Sequence, residues 1–225
     1  MRLYADPIST TSRPILLLAA ESGADVELQF VDLFKGENYA PAYTAINPNQ
    51  CVPVLEDGDF RLTESSAILR YLADTHVSSA YPSAPHARAR VDERLDWFNT
   101  GFNRDFCYNF IYPQIFSTMR RADDALQAGT IAHGRERALG WLKVLDENII
   151  GPHHGYVCGD AISIADYLGS ILLLSGECVA CNFKAYPNIT RWMSNMKAMK
   201  SWSSVNEVFS KYMIEPNRDK ALTAL

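Results

Sequence analysis

Ser9-Thr10-Thr11-Ser12 sets four hydroxyls in a row between a short apolar run, Arg2 to Ala5, and a helical pattern that follows at once. A hydroxyl can donate a hydrogen bond to an anion, and the backbone N–H groups at a helix start add partial positive charge. The turn therefore suits a negatively charged group. The same residues also have an ordinary use, with Thr11 or Ser12 capping the helix and the others forming a polar turn. Dithiol exchange does not fit, because the positions of a Cys-x-x-Cys pair after the first strand hold Ser9 and Ser12. Cys178-Val-Ala-Cys181 has that spacing but follows an apolar helical stretch, and reads as two packed thiols. His153-His154 is followed by glycine and lacks the other ligands of a zinc site, so no metal is expected.

The elements that hold this turn can be read from periodicity. Arg2 to Ala5 reads as a strand, and Ile15, Leu16, Leu18, Ala19 and Ser22 have helical spacing that ends at Gly23. Pro14 falls in the first turn, where its missing N–H is tolerated. Val26, Leu28 and Phe30 alternate with polar residues, as in a half-buried strand. Val52-Pro-Val-Leu-Glu and Asp59-Phe-Arg-Leu read as two strands joined through Asp57-Gly58, and a helix follows from Glu64 to about Ala73. Residues 74–86, rich in Ser, Ala and Pro, read as a linker. Beyond them only helical patterns occur: a long one from Val91 through Phe102, then about Gly134–Asn148, Ser163–Ser175, Ile189–Met199 and Ser203–Tyr212. Ser163-Ile-Ala-Asp166 is a capping box variant, which makes Asp166 a structural residue.

Composition narrows the function classes. A chain of 225 residues, 48% hydrophobic, with a net charge of −5 from scattered charges, offers no basic face for nucleic acid or anionic membrane. It has no run of about 18 uncharged apolar residues, and Met1 to Asp6 does not resemble a signal peptide. Five widely spread cysteines fit reduced thiols in a cytoplasmic protein better than a disulfide framework.

The order of LYADPISTTSRP, INPNQCVPVLEDGDFRLTESSAILRYL and GDAISIADYLGSILL resembles the cytosolic glutathione S-transferase family, in its theta/delta-like or related bacterial serine-type branch, and the resemblance covers nearly the whole chain. The resemblance implies a thioredoxin-like α/β domain over 1–76 that binds glutathione, and an all-α domain over 87–225 that supplies a pocket for an electrophile. Ser9 matches the family's thiol-activating serine. Val52 and Pro53, with Pro53 cis in the family, would pair with the cysteinyl backbone of glutathione. Ser65 would hold the γ-glutamyl carboxylate and Glu64 the ammonium, although ordinary first-turn capping also suits both residues. Asn38 and Gln50 match positions that hold the glycine carboxylate, but as neutral amides they supply no charge. Of the aromatic stripe Phe98, Phe102, Phe106, Phe110 and Tyr112, Phe102 and Phe106 are expected at the electrophile pocket, with Asn103 and Arg104 beside them. A glutathione transferase acting on small apolar electrophiles, as a homodimer, is the implied function. A non-catalytic glutathione-binding or scaffold protein of the same fold is the alternative.

Overall fold

The computed structural model describes residues 1–225, the side chain of Ser78 excepted. Strand β1 (Arg2–Ala5) leads through the hydroxyl turn into α1 (Arg13–Ser22), which stops at Gly23 in the left-handed region at φ 70°. Strand β2 (Glu27–Phe30) then pairs parallel to β1, with Leu3 opposite Leu28. After the short helix α2 (Pro41–Thr44), β3 (Val54–Asp57) pairs antiparallel to β1 and β4 (Phe60–Leu62) antiparallel to β3. The order β2-β1-β3-β4 makes a mixed four-stranded sheet, closed by α3 (Ser65–His76). The hairpin turns on Gly58 at φ 58°, the conformation for which glycine is suited. This is a thioredoxin-like unit.

Everything after it is helical. Helix α4 (Pro85–Trp97) runs without a break into widened turns over Phe98–Ile111 and ends in α5 (Tyr112–Ile115). Pro113 does not interrupt this rod, because it falls in the first turn of α5. Helix α6 (Asp124–Val144) starts ten residues before the Gly134 read from periodicity: Asp123 Oδ1 caps it by accepting from the Leu126 N–H at 2.7 Å. Helix α7 (Ile164–Leu174) is buried throughout, and α8 (Pro187–Lys197) and α9 (Trp202–Phe209) follow.

Two features depart from the periodic reading. Strand β2 lies at a sheet edge, so Leu28 and Phe30 are 41% and 57% exposed rather than turned into a core. The expected linker is shorter than 74–86, since α3 continues to His76 and α4 begins at Pro85. Tyr81 in between is buried, and its hydroxyl donates to Asp92 Oδ1 at 2.9 Å.

One large core joins both halves: Leu3, Ile15, Leu18, Ile68 and Leu72 pack into the same cluster as Phe98, Phe102, Leu168 and Leu172. A smaller core of Val31, Tyr43, Val52 and Val54 fixes the loop before β3. Asp166 performs the structural part expected of it. Its Oδ2 accepts from the Ser163 N–H and hydroxyl, and its Oδ1 from the Val157 N–H and Trp192 Nε1, all within 2.8–2.9 Å.

Candidate active site

The hydroxyl turn is shaped by Asp6. Its buried carboxylate accepts from the Ile8 and Leu33 N–H groups, both at 3.0 Å, while its carbonyl accepts from the Ser9 N–H at 2.9 Å. Ser9 then does what Thr11 or Ser12 was expected to do. Its Oγ accepts from the backbone N–H groups of Thr11 at 3.3 Å and Ser12 at 3.2 Å, which fixes the entry into α1. Ser12 occupies the cap position without capping: its hydroxyl is buried and has no partner. Thr11 Oγ1 lies 3.0 Å from Ser9 Oγ and donates to the Val52 carbonyl at 3.1 Å. Thr10 shares a short hydrogen bond with the hydroxyl of Tyr112, at the far end of the long helical rod.

Beneath the turn lies Arg13, fully buried without a salt bridge among the described residues. Its guanidinium stacks 3.5 Å over the Phe209 ring and donates from Nη1 to Asn206 Oδ1 at 2.7 Å, leaving Nε and Nη2 unpartnered. Burial draws its pKa down to about 9, which leaves it protonated at neutral pH.

The loop before β3 faces the turn. Three successive carbonyls are each taken by a side chain: Gln50 by Asn38 Nδ2 at 2.9 Å, Cys51 by the Tyr43 hydroxyl and Asn47 Nδ2 at 2.6 and 2.7 Å, and Val52 by Thr11. The Val52 N–H makes no hydrogen bond among the described residues, and the Val52–Pro53 peptide is cis. Asn38 therefore lies beneath the loop and fixes the Gln50 backbone, rather than reaching out as a free amide. Gln50 itself is exposed. Just three non-glycine residues among those described have positive φ, and two of them are Gln50 and Glu64, at 58° and 66°. The two flank the β3–β4 hairpin, and backbone strain of this kind clusters at functional sites. Glu64 precedes α3 without capping it, and the buried Ser65 opens the helix, so the first-turn N–H groups lack a side-chain partner and can receive an anion.

The expected electrophile residues need correction. Phe102 and Phe106 are fully buried, stacked on one another with centroids 4.9 Å apart, and Phe102 is stacked on Trp97. With Phe98 they form the ridge that packs on α7, where a Cβ at Gly169 would come within 2.3 Å of the Phe98 ring. The widened turns explain this, since more residues per turn keep a four-residue spacing on one face. Arg104 is exposed but commits its guanidinium to Asp105, through bonds of 2.9 and 3.0 Å. Asp105 also accepts from Trp141 Nε1 at 2.8 Å, and Arg104 holds its carboxyl well below the usual range. Asn103 is half-buried, and its Oδ1 has no partner.

A second aromatic series stands beside the turn instead. Tyr108, Tyr112 and Phe116 pack edge to face, with successive centroids 5.1 and 5.4 Å apart; Tyr108 stands at the surface and Tyr112, in the middle, is buried and bonded to Thr10. Their four-residue spacing, offset by two from the Phe98 series, was the available signal. Cys178 and Cys181 are buried free thiols, and no cluster of three or more metal-ligating side chains occurs among the described residues.

The arrangement of a strained loop, a cis proline and a hydroxyl turn can be set against known proteins. The family model described as Glutathione S-transferase, N-terminal domain, matches residues 1–74, and that described as Glutathione S-transferase, C-terminal domain, matches 114–199. The theta-1 glutathione S-transferase of Bos taurus is 33% identical over 204 residues, covering 88% of this chain and 82% of the relative. The chain belongs to the glutathione S-transferase family. Enzymes of this family take glutathione as co-substrate. Among solved glutathione transferases, the human theta-2 enzyme in complex with glutathione and an unknown ligand superposes with a TM-score of 0.82 at 27% identity, covering 100% of this chain and 93% of that one. A delta-class enzyme of Nilaparvata lugens reaches 0.79 at 30% identity, covering 96% and 98%. Ser9, Asn38, Gln50, Val52, Pro53, Glu64 and Ser65 all fall inside the first matched stretch, whereas Tyr108 and Tyr112 fall between the two.

Proposed function

We propose that Ser9 donates a hydrogen bond to the thiolate of glutathione, which then attacks an electrophilic carbon of a small apolar compound resting against Tyr108, Tyr112 and Phe116. One observation carries this reading: both lone pairs of Ser9 Oγ receive backbone N–H groups, which leaves its O–H as the group to offer. A free thiol has a pKa near ~8.5 and is mostly protonated at neutral pH, so a donor at this position raises the reactive fraction.

The Val52 N–H and carbonyl suit the cysteinyl backbone, the first turn of α3 with Ser65 suits the γ-glutamyl carboxylate, and Glu64 suits its ammonium. Gln50 faces the glycine end as a neutral amide. The division into a glutathione-binding domain over 1–76 and an electrophile domain over 87–225 belongs to the same reading, as do a homodimer and a cytoplasmic location. No described helix is long and apolar enough to cross a membrane.

The test is a panel of alkyl halides, aryl ethers, epoxides and peroxides assayed with glutathione, beside calorimetry of glutathione binding. Turnover on one carbon electrophile that falls at least tenfold in Ser9→Ala, with the dissociation constant within about threefold, is the expected result. Binding without turnover on any class, or turnover indifferent to Ser9→Ala, would overturn it.

A further inference from the structure

Thr11 has no part in the reading above, yet two contacts meet on its hydroxyl. The Val52 carbonyl has no proton to give, so Thr11 is the donor in their 3.1 Å bond. A hydroxyl carries a single proton. The 3.0 Å contact between Ser9 and Thr11 is therefore bridged by the proton of Ser9. The resting order runs from the Ser9 O–H to Thr11 Oγ1, and from the Thr11 O–H to the Val52 carbonyl. In that order the proton assigned to the thiolate is already in use.

We propose that Thr11 is a positioning residue whose hydroxyl couples occupation of the Val52 carbonyl to the direction in which Ser9 donates. The proposal rests on the Ser9 reading. A peptide N–H arriving at the Val52 carbonyl shares that oxygen with Thr11, as the Tyr43 hydroxyl and Asn47 share the Cys51 carbonyl, and a shared acceptor holds each donor less tightly. The Thr11 hydroxyl then rotates to donate to Ser9 Oγ, and the Ser9 hydroxyl rotates outward. Both protons stay on their own oxygens, no covalent bond changes, and the thiol proton leaves to solvent. Ser9 Oγ can accept the new donor because its two backbone bonds are long, at 3.3 and 3.2 Å, and the weaker yields. A negative sulfur at the end of the row aligns both hydroxyl dipoles toward itself, and a hydroxyl that accepts a hydrogen bond is the better donor. Backbone recognition thus favours thiol activation: a thiol that lacks the peptide N–H meets a Ser9 more firmly turned inward.

The measurement is the thiolate absorbance of bound glutathione against pH in the parent, Thr11→Val, Thr11→Ser, Ser9→Ala and the double variant Ser9→Ala/Thr11→Val. Binding of S-methylglutathione by calorimetry and thermal unfolding confirm that each variant is folded and retains its peptide site. Thr11→Val is expected to raise the thiol pKa by about half to one unit, against the one to two units expected of Ser9→Ala. Thr11→Ser keeps the parent's value, and Thr11→Val adds nothing on the Ser9→Ala background. If Ser9→Ala raises the pKa while Thr11→Val leaves it unchanged or lowers it, Thr11 is idle or merely competes for the proton; the coupling then falls and the Ser9 reading stands. If Ser9→Ala itself has no effect, both fall.

Discussion

Ser9 has two duties in this structure, and they can be measured apart. As acceptor for the Thr11 and Ser12 N–H groups it holds the start of α1, so Ser9→Ala is expected to lower unfolding free energy in urea by about 0.5 to 2 kcal/mol, besides its effect on the thiol. Ser12 is the opposite case. Its hydroxyl is buried without a partner, and a buried unpaired polar group costs about 1 to 3 kcal/mol, so Ser12→Ala should leave stability unchanged or raise it. A loss of stability in Ser12→Ala comparable to that in Ser9→Ala would mean that the helix start is capped differently. The four hydroxyls were legible in the sequence as a cluster, but their division of labour was not. Serine and threonine have the same donor and acceptor chemistry, and what separates them here is the loop shape set by Asp6 and Leu33.

Along the long rod from α4 to α5, two aromatic series with the same spacing face different surroundings. Phe106→Ala removes a fully buried ring and is expected to cost about 3 to 5 kcal/mol. Tyr108, 48% exposed, should change the KM for the electrophile when replaced by alanine, with stability shifted by roughly 0.5 kcal/mol or less. Periodicity revealed the stripe but not which stripe is core, because the widened turns over Phe98–Ile111 rotate the two faces away from their α-helical positions. Helix α7 was readable because its signal is local: Ser163 and Asp166 cap within one turn. The bonds from Val157 and Trp192 to Asp166 come from 9 and 26 positions away, outside the helix turn that carries the local signal, and were not legible. They raise the stakes beyond an ordinary cap. Asp166→Ala leaves four buried donors unpaired and is expected to cost about 3 to 5 kcal/mol in urea unfolding, while the surviving folded enzyme keeps its turnover number.

At the scale of the whole molecule, Asp166 also sets a pH dependence. Burial raises its pKa from 3.8 to about 6. An acid whose folded pKa lies above its unfolded value binds its proton more tightly when folded, so its contribution is complete below pH 3.8 and is lost as pH rises through 6. Relative to Asp166→Asn, the parent's unfolding free energy should fall by roughly 2 kcal/mol between pH 4 and 7, and a flat difference would show that the site holds its charge without cost. Asp105 acts in the other window, since a depressed pKa gives stability that is present above 3.8 and lost as pH falls further. The two-part layout was legible from composition and periodicity, whereas the contacts that complete the site were not: Asn38, Tyr43 and Asn47 on the loop carbonyls, and Tyr112 on Thr10. Arg13 sits beneath the same turn, and its two stabilising neighbours, Asn206 and Phe209, belong to the last elements of the chain. The hydrogen bond to Asn206 spans 193 positions. At a synthesis rate of ~5–20 residues per second, Asn206 is added about 10 to 40 s after Arg13. Through that interval a nascent chain has no place to bury the guanidinium, and the charge holds the start of α1 in water. The turn that carries Ser9 is thus made well before the elements that complete it.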